Sequence, residues 1–461
     1  MDSPAPSAPG ALAPRWESQK PAEDLGLDGM ANLDSYWLPF TPNRLFKKAP
    51  RLLVRAEGMY FWNDRGDQLI DGCSGLFCCA LGHGRPEILE ALSRQYGTLD
   101  FGTPFQYSHP GAFELAGMLA DLTPGNLNRV FFVNSGSEAV DTAMKIALLY
   151  HRVRGEGQRQ RFVSRERSYL GVNIGGVSLS GMVKNRESFG SGLPGVVHMR
   201  HTWLEENRFA PGQGEHGEEL AEDLQRFVDL YGRDTIAACF VEPIAGSTGI
   251  LVPPRGYLSR LRQICDQNGI LLVFDEVITG FGRTGKAFAA ETFGVVPDLI
   301  TVAKGLTNGA VPMGAVVISD DIYGQITGSA PEGGIEFFHG YTYSAHPLAC
   351  AAGIATQRIF REEGVFERSA KLAPYFLERV FDLRKIPVIR DIRGYGLLAG
   401  LDLAPGDSFG QRGYAALQGF FAAGLLVRVT VDCVILAPAL IAEREHIDRI
   451  CDTLRDVLST L

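Results

Sequence analysis

Apolar and polar positions along the chain follow two rhythms. From about residue 128, short solid runs of branched and aromatic residues alternate with segments that repeat at helical spacing. The runs "RVFFVN", "AACFVEP", "ILLVFDEV" and "DLITVAK" read as buried strands, because a strand covered on both faces shows no polar alternation. Between them, "EAVDTAMKIALLYHR", "YLSRLRQICDQNG" and the short "AFAAETFG" read as helices. The first of these is expected to begin at about Glu138, after a strand that stops at Asn134. Strands alternating with helices predict parallel pairing and an α/β domain over residues 100–344. Upstream, "LLVRAEG", "YFWNDRGD" and "LIDG" read as a small antiparallel meander, and "PEILEALSRQYGTL" and "GAFELAGMLADL" as helices. Downstream, the helical "HPLACAAGIATQRIF" is followed by "LLAGLDL" and the alternating "LLVRVTVDCVILAP". This predicts a smaller α+β domain over residues 345–461, with residues 31–99 as an N-terminal segment joining it. Residues 1–30 are rich in Pro, Ala, Ser and Gly and lack a charged start followed by an apolar core. They read as a disordered tail and not as a secretory signal.

Composition narrows the function classes. The net charge is -9 and no block of Lys and Arg exists, so neither nucleic acid nor an anionic membrane is the expected partner. No apolar run is long enough to span a bilayer. The eight cysteines form no CxxC pair, which argues against a metal site or disulfide framework and for reduced thiols in the cytoplasm. No GxGxxG follows an early strand, which disfavours a dinucleotide-binding oxidoreductase.

The remaining chemistry sits at strand ends, where open α/β sheets bind ligands. After "RVFFVN", Ser135, Gly136 and Ser137 make a compact turn into a helix N-terminus, a phosphate cup or else a plain capping turn. "LLVFDEVITGFGRTG" brings Asp275 and Glu276 out of an apolar strand into a glycine-rich loop. A carboxylate there needs a partner, or backbone donors that satisfy it. "LITVAKGLTNG" ends a buried strand on Lys304, 29 residues after Asp275, the length of strand, helix and next strand. Both side chains are therefore expected at one sheet edge. Burial lowers a lysine pKa and makes the amine a nucleophile toward carbonyls. A phosphate cup, an acid and such an amine together point to pyridoxal 5'-phosphate, with Lys304 holding its aldehyde as a Schiff base. Asp275 would keep the pyridine nitrogen protonated. An ion pair at about 4 Å and an effective dielectric near 20 is worth roughly 4 kcal/mol before desolvation, enough to set that protonation.

The motifs "NSGSEAVDTAMKIA", "VEPIAGSTG", "LLVFDEVITGFGRTG", "TVAKGLTNG", "PMGAV" and "HGYTYSAHPLACAAG" resemble the class III pyridoxal-phosphate aminotransferases, from about residue 34 to the C-terminus. Within the class, "PFTPNRLFK", "GYTYSAHP" and "LTPGNLNRVFFVNSGSE" are similar to the ω-amino acid (β-alanine):pyruvate transaminases. The resemblance implies the aspartate-aminotransferase fold (fold type I), with a large, mostly parallel sheet domain and a smaller α+β domain. It also implies a homodimer, or a tetramer built from it, with active sites at the subunit boundary. It places Ser135, Gly136 and Ser137 at the phosphate, and Thr342 at the phosphate of the neighbouring subunit's cofactor. Val277 and Tyr169 would cover the two ring faces, with Gly171 beside Tyr169 and Glu242 near the phenolic oxygen. Phe77 matches a pocket-wall position, although packing alone would explain it equally well. Arg428 matches an arginine that clamps the substrate carboxylate. One departure stands out: Leu170 occupies the place of the histidine in the family's usual Tyr-His-Gly.

The expected reaction is a ping-pong transfer of an amino group from an ω-amino acid or other amine to a keto acid such as pyruvate, with Lys304 as the proton carrier. The same residues could serve an aminomutase, a racemase or a decarboxylating transaminase. A non-catalytic cofactor-binding homologue is a further alternative.

Overall fold

The computed structural model describes residues 33–461. The expected tail over residues 1–30 lies outside the described residues. Two compact units are present. Among the described residues the smaller comprises 33–55 together with Phe61–Gln68, and the larger comprises Ala56–Tyr60 and Leu69–Leu461. In the smaller unit, residues Asn43–Lys48 form a helix, and the Asn63 side-chain oxygen accepts the N–H groups of Arg65 and Asp67 at 3.0 and 2.8 Å. All that follows concerns the larger unit.

Seven strands form its central sheet: β1 Leu127–Val133, β2 Arg161–Arg165, β3 Val196–Met199, β4 Ile236–Val241, β5 Leu271–Asp275, β6 Leu299–Val302 and β7 Gly314–Ser319. Their spatial order is β1-β7-β6-β5-β4-β2-β3. Strands β4 to β7 are buried at every position, as solid apolar runs require. The pairing is parallel throughout except at β7, which runs antiparallel to both β6 and β1. Reversal on both sides of β7 leaves β1 parallel to β6. The carboxyl ends of β1, β2, β4, β5 and β6 therefore share one edge of the sheet.

The helix after β1, α1, spans Gly136–Val153 and begins two residues earlier than its apolar periodicity suggests. The reason is a cap: the Ser135 hydroxyl accepts the N–H of Glu138 at 3.2 Å, and the Glu138 carboxylate reaches back to the N–H of Asn134 at 2.7 Å. The strand accordingly ends at Val133. One face of α1, including Ala139, Val140, Ala143, Ile146 and Ala147, packs on the sheet.

A second, antiparallel sheet is built from β8 Ile389–Tyr395, β9 Leu398–Leu403, β10 Arg428–Thr430 and β11 Cys433–Leu436, in the order β8-β9-β11-β10. The alternating run that read as one strand is thus interrupted. It holds a short strand at Leu425–Leu426, which pairs in parallel with Ile70 and Asp71, and then a tight β10–β11 hairpin. All eight cysteines are free. Among the described residues no group of His, Cys, Asp and Glu could hold a metal, and no helix is long and apolar enough to cross a membrane.

Candidate active site

The five parallel strand ends deliver their chemistry to one cavity. Gly136 and Ser137 come from the turn after β1, and Tyr169 and Gly171 from the segment after β2. Glu242 follows β4, Asp275 and Val277 end β5, and Lys304 follows β6; all eight line the cavity. Ile278 and Ala303, which sequence reasoning did not single out, complete its wall. Their types carry no chemical signal; only their neighbourhood to Val277 and Lys304 could have marked them.

Lys304 is the second residue past β6 and sits at a φ of 47°, a left-handed conformation that a non-glycine residue adopts only at a cost. The turn behind it is fixed by Asn308, also left-handed at φ 53°. Asn308 accepts the N–H of Leu81 at 2.8 Å and donates to the carbonyl of Gly82 at 2.9 Å. It thereby ties the lysine turn to the Phe77 segment. The Asn-Gly pair at 308–309 was a readable signal for that turn. Among the described residues no hydrogen bond or ion pair engages the Lys304 amine. The Phe77 ring centroid lies 6.0 Å from it.

Burial decides the electrostatics. It pushes the Lys304 ammonium below the ordinary lysine range, against the pull of Asp275 and Glu242. It also pushes Asp275 up to about 6, although the Val277 N–H at 3.0 Å and the Lys304 charge oppose it. Glu242 is raised to about 8, by burial first and then by Asp275. Its two oxygens accept the N–H groups of Tyr169 at 2.9 Å and Gly246 at 3.1 Å, and the buried Arg165 donates to its backbone carbonyl at 2.7 Å. Glu276 points away: its carboxylate accepts the N–H groups of Ala289 and Ala290 and the Thr279 hydroxyl at 2.6 to 2.8 Å. Of the two adjacent acids, then, Glu276 is the one satisfied by backbone donors, and Asp275 faces the lysine.

The other expected residues sit differently. The Ser135 hydroxyl is used as the helix cap, and Ser135 does not line the cavity. Phe77 is buried at a φ of 63° within an apolar cluster that includes Ile244, Ile278 and Ile435, so it packs and approaches the lysine at once. Arg428 opens β10, opposite Ile435. Its Nε is buried without a partner, and its charge acts on both Lys304 and Tyr169. Thr342 is exposed and does not line its own chain's cavity. Leu170 is fully buried in the apolar cluster under α1 and makes no part of the cavity wall.

Comparison with known proteins bears on this geometry. The Aminotransferase class-III family model matches residues 43–458. An omega-aminotransferase of Caulobacter vibrioides is 52% identical, covering 93% of this chain and 98% of the relative. An omega-amino acid–pyruvate aminotransferase of Pseudomonas putida is 45% identical, covering 94% and 98%. Among solved structures, an omega transaminase from Pseudomonas jessenii in complex with PMP superposes with a TM-score of 0.88 at 31% identity, covering 96% of this chain and 98% of that one.

Proposed function

The chain belongs to the class-III aminotransferase family, and from that premise we propose that it moves an amino group from an ω-amino acid or other amine to a keto acid such as pyruvate, with pyridoxal 5'-phosphate as cofactor. The relatives named above are aminotransferases, so the isomerase and non-catalytic readings are not favoured.

The observation that carries the reading is one cavity holding a half-buried amine, without a hydrogen-bond or ion-pair partner among the described residues, beside a buried carboxylate with a single backbone donor. The lining fits the cofactor in three respects. A Cβ on Gly171, which has a φ of 101°, would lie 2.8 Å from the Ser137 Cα and Oγ, so only glycine lets this segment close on the phosphate-side residue Ser137. The first N–H groups of α1, an 18-residue helix, have no intrahelical acceptor and face an anion favourably. Asp275, held near 6 by burial, has no cation at ion-pair distance among the described residues; a shift of about two units is worth about 3 kcal/mol, less than the roughly 4 kcal/mol of one ion pair. A protonated ring nitrogen would therefore keep it ionised.

When bound, the cofactor supplies an aldehyde that can carry the amino group and a ring that accepts electrons. The Gly136 and Ser137 N–H groups and the Ser137 hydroxyl bind its phosphate. Asp275 holds the ring nitrogen protonated, while Val277 and Tyr169 cover the ring and exclude water. Glu242, whose carboxylate is anchored by two backbone N–H groups, orients Tyr169. Lys304 Nζ, whose pKa burial lowers, would take the proton from the amine-bearing carbon of the donor and deliver it to the cofactor carbon that bore the aldehyde, with the reverse transfer serving the keto acid. Arg428 binds the carboxylate of a carboxylate-bearing substrate. We further infer a homodimer in which Thr342 serves the partner's site, since it is exposed and lies outside its own.

Borohydride reduction of the cofactor-loaded protein, followed by peptide mass spectrometry, should leave the cofactor on the peptide containing Lys304. A panel of amine donors with pyruvate should yield alanine. Cofactor found on another lysine, or turnover of an amine without any keto acid, would overturn the proposal.

A further inference from the structure

A second cavity, of about 890 Å3, shares no lining residue with the lysine cavity. Its wall includes the tip of the β10–β11 hairpin, Thr430–Cys433. The carboxylates around it are already engaged. Asp391 accepts the Trp203 indole N–H and the Phe209 N–H, both at 2.8 Å. Asp402 accepts two bonds from Arg393 at 2.8 Å, and Asp432 accepts the Gly413 N–H at 2.7 Å. Glu187 pairs with Lys184 at 2.6 Å and Glu205 with Arg208 at 2.5 Å.

Two arginines on the same wall are not engaged in this way. The Arg167 guanidinium has no carboxylate within ion-pair distance among the described residues, and its one side-chain hydrogen bond is a long 3.5 Å contact to the Thr248 carbonyl. Burial pushes its pKa down and the nearby Arg393 charge adds to this, against the more distant pull of Asp402 and Asp391, so the half-buried guanidinium has no carboxylate in direct contact among the described residues. Its backbone is held left-handed at φ 50° by the Thr248 hydroxyl, which donates to the Arg167 carbonyl at 2.6 Å. Arg390 is exposed at the rim with no side-chain partner among the described residues. The Thr430 hydroxyl is buried without a partner. Between these polar groups the wall is apolar: Trp203, Val431 and Phe409, the last 71% exposed.

We propose that this cavity is a second ligand site, which takes a small organic carboxylate with an apolar body. Arg167 receives the carboxylate, Trp203 and Phe409 cover the body, and the Thr430 hydroxyl supplies a further hydrogen bond. A guanidinium matches a carboxylate in two parallel hydrogen bonds, and withdrawal from water strengthens them. Occupancy is read by the hairpin tip. Its first strand begins with Arg428, so a ligand that fixes Thr430 and Val431 also fixes the arginine that serves a substrate carboxylate. Arg167 lies two residues before Tyr169, which gives the ligand a second route to the lysine cavity.

The test uses cofactor-loaded protein and 3-phenylpropionate as the probe, with the neutral 3-phenylpropanamide as control, followed by titration calorimetry. Saturable binding of the acid and not of the amide is expected. Arg167→Leu and the exposed Phe409→Glu should each weaken it about tenfold or more, whereas Arg428→Leu should change it less than about twofold. Phe409→Glu adds a repelling charge at an exposed position, so its effect does not depend on core packing. In the wild type, saturating probe should shift the KM for pyruvate by about threefold or more, and Phe409→Glu should abolish the shift. Only this last readout rests on the transaminase reading; the binding measurements stand without it. Absence of saturable binding up to about 10 mM, as when a second copy of the chain fills the cavity, would overturn the proposal. So would binding that follows Arg428 and ignores Arg167 and Phe409.

Discussion

At the scale of single residues, burial is the common cause. It moves an amine and a carboxylate toward neutrality in the same cavity, and it explains why neither can be replaced by a nearby equivalent. Asp275→Asn removes the side chain proposed to ionise against the ring nitrogen. Loss of roughly 4 kcal/mol of ion-pair energy corresponds to about a thousandfold slower half-reaction with an amine donor, measured by single-turnover absorbance. Cofactor binding should persist, because the phosphate contacts come from β1 and α1. Leu170 shows the converse. The family's histidine at this place left its orienting role in doubt for this chain, and the Leu170 side chain is buried in the apolar cluster that also holds Val140, Leu179 and Phe240. Leu170→His would set an imidazole among apolar neighbours and is expected to destabilise the protein by about 1–3 kcal/mol in urea unfolding, without raising the rate of amino transfer. The sequence could show that the residue type differed; it could not show which way the side chain faced.

At the scale of elements, the legible parts were those in which an apolar run ends on a polar residue. The runs before Ser135, Asp275 and Lys304 each announced a strand end, and the helical spacing between them announced that the ends would share an edge. The antiparallel β7 was not legible, because its solid apolar run looks like its parallel neighbours, and its direction is set by pairing with β1 and β6. The β10–β11 hairpin was hidden for another reason. Its tip carries Val431 at a φ of 54°, where turn chemistry would place Gly or Asn. The strain is held by neighbours: the Asp432 carbonyl accepts the Leu403 N–H at 2.8 Å, and its carboxylate accepts the Gly413 N–H. A left-handed β-branched residue costs about 1–2 kcal/mol, and glycine gives back about 0.5–1 through the unfolded chain. Val431→Gly should therefore stabilise the protein by about 0.5–1 kcal/mol, read as a higher denaturation midpoint at unchanged slope. In the segment after β2, which packs against the start of α1, Gly171→Ala should do the opposite to function. Its Cβ would press on Ser137, so cofactor affinity should fall about tenfold or more in a titration of the cofactor-free protein.

At the scale of the whole molecule, the buried acids set a pH dependence and the exposed Thr342 sets an assembly test. Asp275, Glu276 and Glu242 have folded-state pKa values raised to about 6, 7 and 8. Through these three acids the folded chain binds more protons than the unfolded one, so their contribution to the unfolding free energy falls as pH rises, while His198, His201 and His339, pushed down by burial, act in the opposite sense. The share of cofactor-free stability due to these acids should thus be lost between about pH 4 and pH 8, read as the difference in pH profile from Asp275→Asn, and bound cofactor should flatten the part due to Asp275 by giving it a cation. Equilibrium urea unfolding at pH 5.5 and 8, with and without cofactor, checks both signs. Assembly follows from Thr342. Exposed aromatics stand on the same segment and on the segment it touches: Phe338, Tyr343, Phe105 and Tyr107 are 86%, 58%, 55% and 72% exposed, and Phe101 packs on Tyr343. A surface of this kind is what an obligate interface buries. If Thr342 serves the partner's cofactor, Lys304→Ala and Thr342→Glu chains are each inactive alone for different reasons. In a mixed dimer, one site carries both lesions and the other carries neither. Co-expression of the two chains under separate affinity tags should therefore yield a hybrid with about half the wild-type activity, while each parent dimer stays inactive. A hybrid as inactive as its parents would mean that Thr342 acts within its own chain, and the subunit-boundary site would have to be abandoned.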